Sequence, residues 1–162
     1  MRMEIKLAYD DIDNIKELFT EYIKLLFDYD SGFQDILDLQ DYEFEMGNPE
    51  KKYALPNGRL YIAYCDDRVA GCIALRKLSE TECEMKRFYV RPQFRGNHIG
   101  RALAEAIIDD AKEIGYESML LDTLPMLTTA IAMYDGMGFQ RIPPYNDYPV
   151  EKTVFMKLDL RG

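Results

Sequence analysis

The chain has 162 residues, 48% of them hydrophobic, and a formal net charge of −9, which fits one compact domain, 1–162, with apolar side chains enough for a sizeable core. Such acidity argues against nucleic-acid binding, which needs clustered Lys and Arg against phosphates, and suits a cationic or amine-bearing partner. No apolar run approaches the roughly 18 residues that cross a bilayer, and the first six residues lack the apolar core of a secretory signal, so a soluble, cytoplasmic protein without a membrane partner is expected.

Met3 to Ala8 alternates as a short strand, and Asp10 or Asp11 then caps a helix with the apolar face Ile12, Ile15, Leu18, Phe19, Tyr22, Ile23 and Leu26. Ser31 and the spacing of Phe33, Ile36, Leu37 and Gln40 predict a second, shorter helix. A loop through Gly47-Asn48-Pro49 and Pro56-Asn57-Gly58 follows. Leu60 to Cys65, Val69 to Leu75 and Glu82 to Val90 read as three strands of an antiparallel meander. Their cysteines, Cys65, Cys72 and Cys83, show no C-x-x-C spacing and leave an odd thiol, against a disulfide framework or a zinc site; no metal is expected. Ile99, Leu103, Ala106, Ile107 and Ile114 recur at helical spacing from His98 onward, with Gly115 as the stop. Ser118 to Leu124 then reads as a strand, Leu127 to Met137 as a helix closed by Gly138, and Thr153 to Leu158 as a last strand after the bend at Pro143-Pro144. The order βααβββαβαββ implies an α/β (α+β) fold, a mixed, mostly antiparallel central sheet flanked by helices.

Within this acidic chain, Lys86, Arg87, Arg91, Arg95 and Arg101 fall between Met85 and Ala104 with no Asp or Glu among them, a pattern that points to a local anion site. The strand ending Phe88-Tyr89-Val90-Arg91-Pro92 runs through Arg95-Gly96-Asn97-His98-Ile99-Gly100 into the helix. Such a turn gathers unpaired backbone N–H groups at the positive end of the helix dipole, an outline suited to a pyrophosphate. The loop lacks the Gly-Lys-Ser/Thr of a P-loop.

Strand, Val-x-Pro, Arg-Gly-x-x-Ile-Gly, amphipathic helix, strand, and then Ala130-Ile131-Ala132-Met133-Tyr134-Asp135-Gly136-Met137-Gly138-Phe139 closely resembles the GNAT superfamily of N-acetyltransferases. The resemblance covers residues 60 to 142 well and the flanks in element order. It implies acetyl-CoA as co-substrate, with pyrophosphate contacts from Gly96, Asn97, His98, Ile99, Gly100 and Arg101 beside Arg95. It likewise implies contacts to the acyl carbonyl and pantetheine arm from the backbone of Phe88, Tyr89 and Val90. Arg95 and Gly100 match the ends of the family's coenzyme pattern, whereas His98 takes its middle Gly position and Leu127 stands where the family has Asn. His98, the only histidine, suits a structural or phosphate-contacting role better than catalysis, having no nucleophile or ligand partner in the pattern.

Making an amide from a thioester needs a neutral amine, a stabilised oxyanion and a proton for the departing thiolate. The resemblance implies Tyr134 as the general acid and Glu84, six residues before Val90, as the base, with Asp122 a further candidate on the next strand. Read as residues alone, Tyr134 suits a core aromatic and Glu84 an outward strand carboxylate beside Glu82 and Lys86. Tyr22, Asp28, Tyr29, Asp30 and Phe33, with the loop 143–149, suit a small, cationic amine held by charge and cation–π contacts, and suit a homodimer surface equally. The expected activity is transfer of acetyl to a primary amine of a small molecule by direct attack on the thioester. The alternatives are a non-catalytic acyl-CoA-binding or regulatory module and an N-acyltransferase acting on a protein amine.

Overall fold

The computed structural model describes residues 1–29, 42–146 and 153–161. In chain order these form β1 (Met3–Leu7), α1 (Ile12–Tyr29), α2 (Tyr42–Gly47), α3 (Pro49–Lys52), β2 (Arg59–Cys65), β3 (Arg68–Lys77), β4 (Glu82–Val90) and a 3-10 turn (Pro92–Phe94). There follow α4 (Ile99–Ile114), β5 (Ser118–Thr123), α5 (Thr128–Met137), β6 (Gln140–Arg141) and β7 (Val154–Asp159). One sheet runs in the order β1-β2-β3-β4-β5-β7-β6. Every neighbour pair is antiparallel except β4 with β5, so the mixed, mostly antiparallel sheet expected from the sequence is the one observed.

Helices cover both faces. α1 buries Ile15, Leu18 and Phe19 against Leu60, Ile62, Cys72 and Ala74 on one side. On the other, Ile99, Leu103, Ala104, Ile107 and Ala111 of α4 pack against Ile73, Leu75, Met85, Met119 and Leu121. Each fully buried Leu or Ile contributes about 1.5–3 kcal/mol of apolar transfer, so the 3.6-residue period fixes which way each helix faces. α4 ends where Gly115, at φ 110, gives its N–H to the Ala111 carbonyl, a left-handed stop that glycine adopts without strain. All three cysteines are buried free thiols.

Two departures bear on the site. The helix predicted around residues 31–40 lies outside the described residues, and the segment expected as a loop near Gly47 contains α2 and α3. No apolar period marks these short helices; α2 is anchored by a charge, with Glu45 fully buried and bonded by Arg87 (Nε 2.5 Å, Nη2 2.9 Å) and by Lys52 (Nζ 2.6 Å). The second departure lies in β4. Ala74 pairs with Lys86 and Cys72 with Tyr89, so β4 carries one extra residue, a bulge at which Arg87 takes φ 54. A bulge reverses the alternation of faces. Before it, Cys83 and Met85 point toward α4; after it, Phe88 and Val90 do, while Tyr89 joins the α1 side.

Candidate active site

β4 and β5 stay paired only over Glu82–Ser118, Cys83–Met119 and Glu84–Leu120. Beyond these pairs the strands part, leaving the β4 edge from Met85 to Val90 without a β5 partner. A small open cleft lies in the gap, bordered by Tyr22 of α1, Met85 to Phe88 of β4, Leu121 to Thr123 of β5, and Leu127, Ala130 and Tyr134 at α5. An unpaired strand edge offers backbone donors and acceptors to any extended amide-bearing chain laid along it.

The far end of β4 leads through the 3-10 turn into α4. Gly96 (φ 84) and His98 (φ 63) are both left-handed, and the first closed bond of the helix runs from the Ala102 N–H to the His98 carbonyl at 3.1 Å. Among the described residues the N–H groups of Gly96 through Arg101 meet no acceptor, so a run of donors sits at the positive end of a 16-residue helix. Arg95 gives its Nε to the Val90 carbonyl (3.1 Å), Asn97 its amide to the Phe94 carbonyl (3.0 Å), and Arg101 pairs with Glu105 on the surface.

The two glycines serve different ends. A Cβ on Gly96 would meet nothing, and glycine is required there by its positive φ; a Cβ on Gly100 would stand 2.9 Å from the Phe88 ring. Gly100 thus makes room for Phe88. The basic stretch is not one anion site. Arg87 is spent on Glu45, and Arg91 on Glu21 (Nη2 2.7 Å) and Glu17 (3.0 Å), so only Arg95 and Arg101 flank the turn.

Tyr134 is buried on α5 with its ring 6.2 Å from that of Phe88 and 5.5 Å from that of Phe139. Burial, with Tyr22 and Asp122 nearby, raises its pKa well above a free phenol's, so the hydroxyl keeps its proton at neutral pH. Glu84 is 1% exposed and lies outside the cleft lining; Arg76 Nε holds one oxygen at 2.7 Å and the Tyr145 hydroxyl donates to the other at 2.5 Å. Burial raises its pKa, but the charges of Lys86 and Arg76 outweigh that and hold it below the usual carboxylate range. Asp122 borders the cleft directly.

Of the residues expected to meet an acceptor, Tyr22 borders the cleft and Asp28 is exposed on α1. Asp30, Phe33 and 147–149 lie outside the described residues, as does the side chain of Tyr29. Lys86, 6% exposed on the cleft wall, entered the sequence reading only as a member of the basic stretch. A charged residue between Glu84 and Arg87 on a strand reads as solvated surface, and nothing local signals its burial. Among the described residues no cluster of His, Cys, Asp or Glu could hold a metal, and no helix is long and apolar enough to cross a membrane.

The family model for the acetyltransferase (GNAT) family matches residues 19–139. An uncharacterized N-acetyltransferase of Schizosaccharomyces pombe is 38% identical over 93% of this chain and 89% of its own. One of Dictyostelium discoideum is 33% identical over 99% of this chain and 100% of its own. Among solved structures, an acetyltransferase from Streptococcus agalactiae superposes with a TM-score of 0.77 at 22% identity, covering 97% of this chain and 98% of that one. The paia N-acetyltransferase of Thermoplasma acidophilum, in complex with coenzyme A, gives 0.73 at 17% identity, covering 98% and 99%.

Proposed function

The chain belongs to the acetyltransferase (GNAT) family, and from that premise we propose that it moves the acetyl group of acetyl-CoA to a primary amine of a small molecule by direct attack on the thioester. The observation that carries this reading is the continuity of two features: the parted β4 edge runs straight into the unpaired N–H groups of residues 96–101. A molecule with a pyrophosphate at one end and an amide-bearing arm leading to a thioester matches that sequence of donors and edge.

In this reading Gly96 to Arg101 bind the pyrophosphate with their N–H groups, with Arg95 at the rim. Phe88, Tyr89 and Val90 hold the arm by their backbone, and a β4 N–H donates to the carbonyl oxygen as negative charge develops there during attack by the amine. Tyr134 gives its proton to the sulfur as the C–S bond breaks. Because its surroundings make it a weaker acid than a free phenol, the transfer is concerted with bond breaking rather than a separate ionisation. For the base, the cleft favours Asp122 over Glu84, since Arg76 and Tyr145 occupy both oxygens of Glu84. Glu84 then serves to fix β4 against β3 and the loop that carries Tyr145.

The test is a thermal-shift comparison of acetyl-CoA, CoA, ATP and NAD, followed by an acceptor screen scored by free-thiol release. Acetyl-CoA at 100 times its Kd stabilises the fold by about 2.7 kcal/mol, and thiol release appears only with an amine present. No shift with any acyl-CoA defeats the reading, and a shift without thiol release for any acceptor leaves a binding module in its place.

A further inference from the structure

Lys86 is a buried ammonium on the cleft wall, and among the described residues it has neither an ion pair nor a hydrogen bond. Its neighbours are already engaged. Glu84 is held by Arg76 and Tyr145, and Glu45 by Arg87 and Lys52. The charges that act on Lys86 are Arg87 and Lys52, which repel it, and Glu84 and Asp122, which attract it. A buried ammonium with no partner among the described residues calls for an anion, because a buried charge is tolerated only when something pairs with it.

The pyrophosphate is not that anion. Its donors lie at the start of α4, beyond Val90, on the face of the sheet that α4 covers, whereas Lys86, next to the α4-facing Met85, falls by alternation on the face that α1 covers, as Tyr89 does after the bulge. The cleft reaches that face too, since Tyr22 of α1 forms part of its wall. A thioester lying between β4 and β5 is therefore approached by its acceptor from the α1 side, past Lys86.

Resting on the N-acetyltransferase reading above, we propose that Lys86 binds a carboxylate of the acceptor, so that the enzyme acetylates amines of the amino-acid type in preference to carboxylate-free or polycationic amines. Lys86 fixes the carboxylate while the amine beside it turns toward the thioester, with Asp122 across the cleft to take its proton. Burial pushes Lys86 down to about 8, which leaves it mostly protonated near neutral pH. A bound carboxylate favours the charged form further.

The test uses the full chain with acetyl-CoA and matched acceptors: the common L-amino acids, their carboxamides, and spermidine, scored by thiol release. The expected result is a kcat/KM at least tenfold higher for an amino acid than for its carboxamide. Lys86→Met removes that preference, raising KM for the acid tenfold or more while leaving the carboxamide and the acetyl-CoA melting shift unchanged; Lys86→Arg retains part of it. Since Lys86→Met also removes an unpaired buried charge, its Tm should not fall, which separates lost recognition from lost folding. Three results overturn the proposal: carboxamides or spermidine acetylated as well as amino acids, equal discrimination in Lys86→Met and parent, or stabilisation by acetyl-CoA with no amino acid acetylated. Absence of any acetyl-CoA shift would instead bring down the acetyltransferase reading, and this proposal with it.

Discussion

The turn before α4 and the cleft between β4 and β5 adjoin each other but are built from different materials. The turn uses the backbone of consecutive residues, Gly96 to Arg101, and its side chains, the buried Ile99 apart, lie at the surface or bond locally. The cleft draws side chains from α1, β4, β5 and α5, buries most of them, and shifts the acidity of Tyr134 and Lys86. A backbone site is robust to side-chain identity and sensitive to chain conformation; a side-chain site behaves the other way. The turn therefore suits a constant group such as a pyrophosphate, and the cleft suits the reacting and selected parts of the substrates.

Substitutions can separate the two. The largest effect belongs to the cleft: Tyr134→Phe should lower turnover by about 10²- to 10⁴-fold, the range for one general acid, with little change in the acetyl-CoA melting shift. Turnover within a few-fold of the parent would make Tyr134 a packing residue. Next, Glu45→Gln leaves Arg87 and Lys52 facing each other without their shared carboxylate, and breaking such a buried pair costs about 3–5 kcal/mol in urea unfolding. The same group governs acid stability. Burial raises the pKa of Glu45, but Arg87 and Lys52 overcome this and bring it to about 2. Its folded value being depressed, the stability it contributes is present above its unfolded value, near 4.3, and is lost as pH falls toward 2. In Glu45→Gln that segment of the pH–stability curve should flatten.

Smaller effects distinguish the glycines of the turn. Gly96→Ala meets no neighbour but must hold a left-handed conformation, at about 1–2 kcal/mol, and no second substitution should restore it. Gly100→Ala crowds the Phe88 ring at about 1–3 kcal/mol, and Phe88→Leu in the same chain should recover part of the loss. Equal rescue of both by Phe88→Leu would refute the distinction. Least of all, Arg101→Ala removes an exposed pair with Glu105. Its expected cost is about 0.3–0.5 kcal/mol in stability, with a modest, salt-dependent loss of acetyl-CoA affinity measured by titration.

The turn was legible in the sequence because glycine spacing and helix periodicity are local: Ile99, Leu103 and Ile107 read as a buried face. His98 was placed at the helix start and is its N-cap. The cleft was legible only in outline. Tyr134 lies on its wall, but Glu84 was read without Arg76 and Tyr145, and its occupied oxygens come from a strand eight residues away and a loop 61 residues away.

By itself, then, the sequence determined the strands and most helices, the two apolar faces that clamp the sheet, and the run of donors before α4, since each follows from periodicity and backbone chemistry within one short segment. Only the tertiary structure decided where β4 leaves β5, that an extra residue at Arg87 reverses the faces of the strand, and that Glu45, 42 residues away, neutralises Arg87 while Lys86 next to it meets no partner among the described residues. These depend on register between strands and on contacts between residues far apart in the chain. A pattern within one segment carries no record of the partner that will stand opposite it.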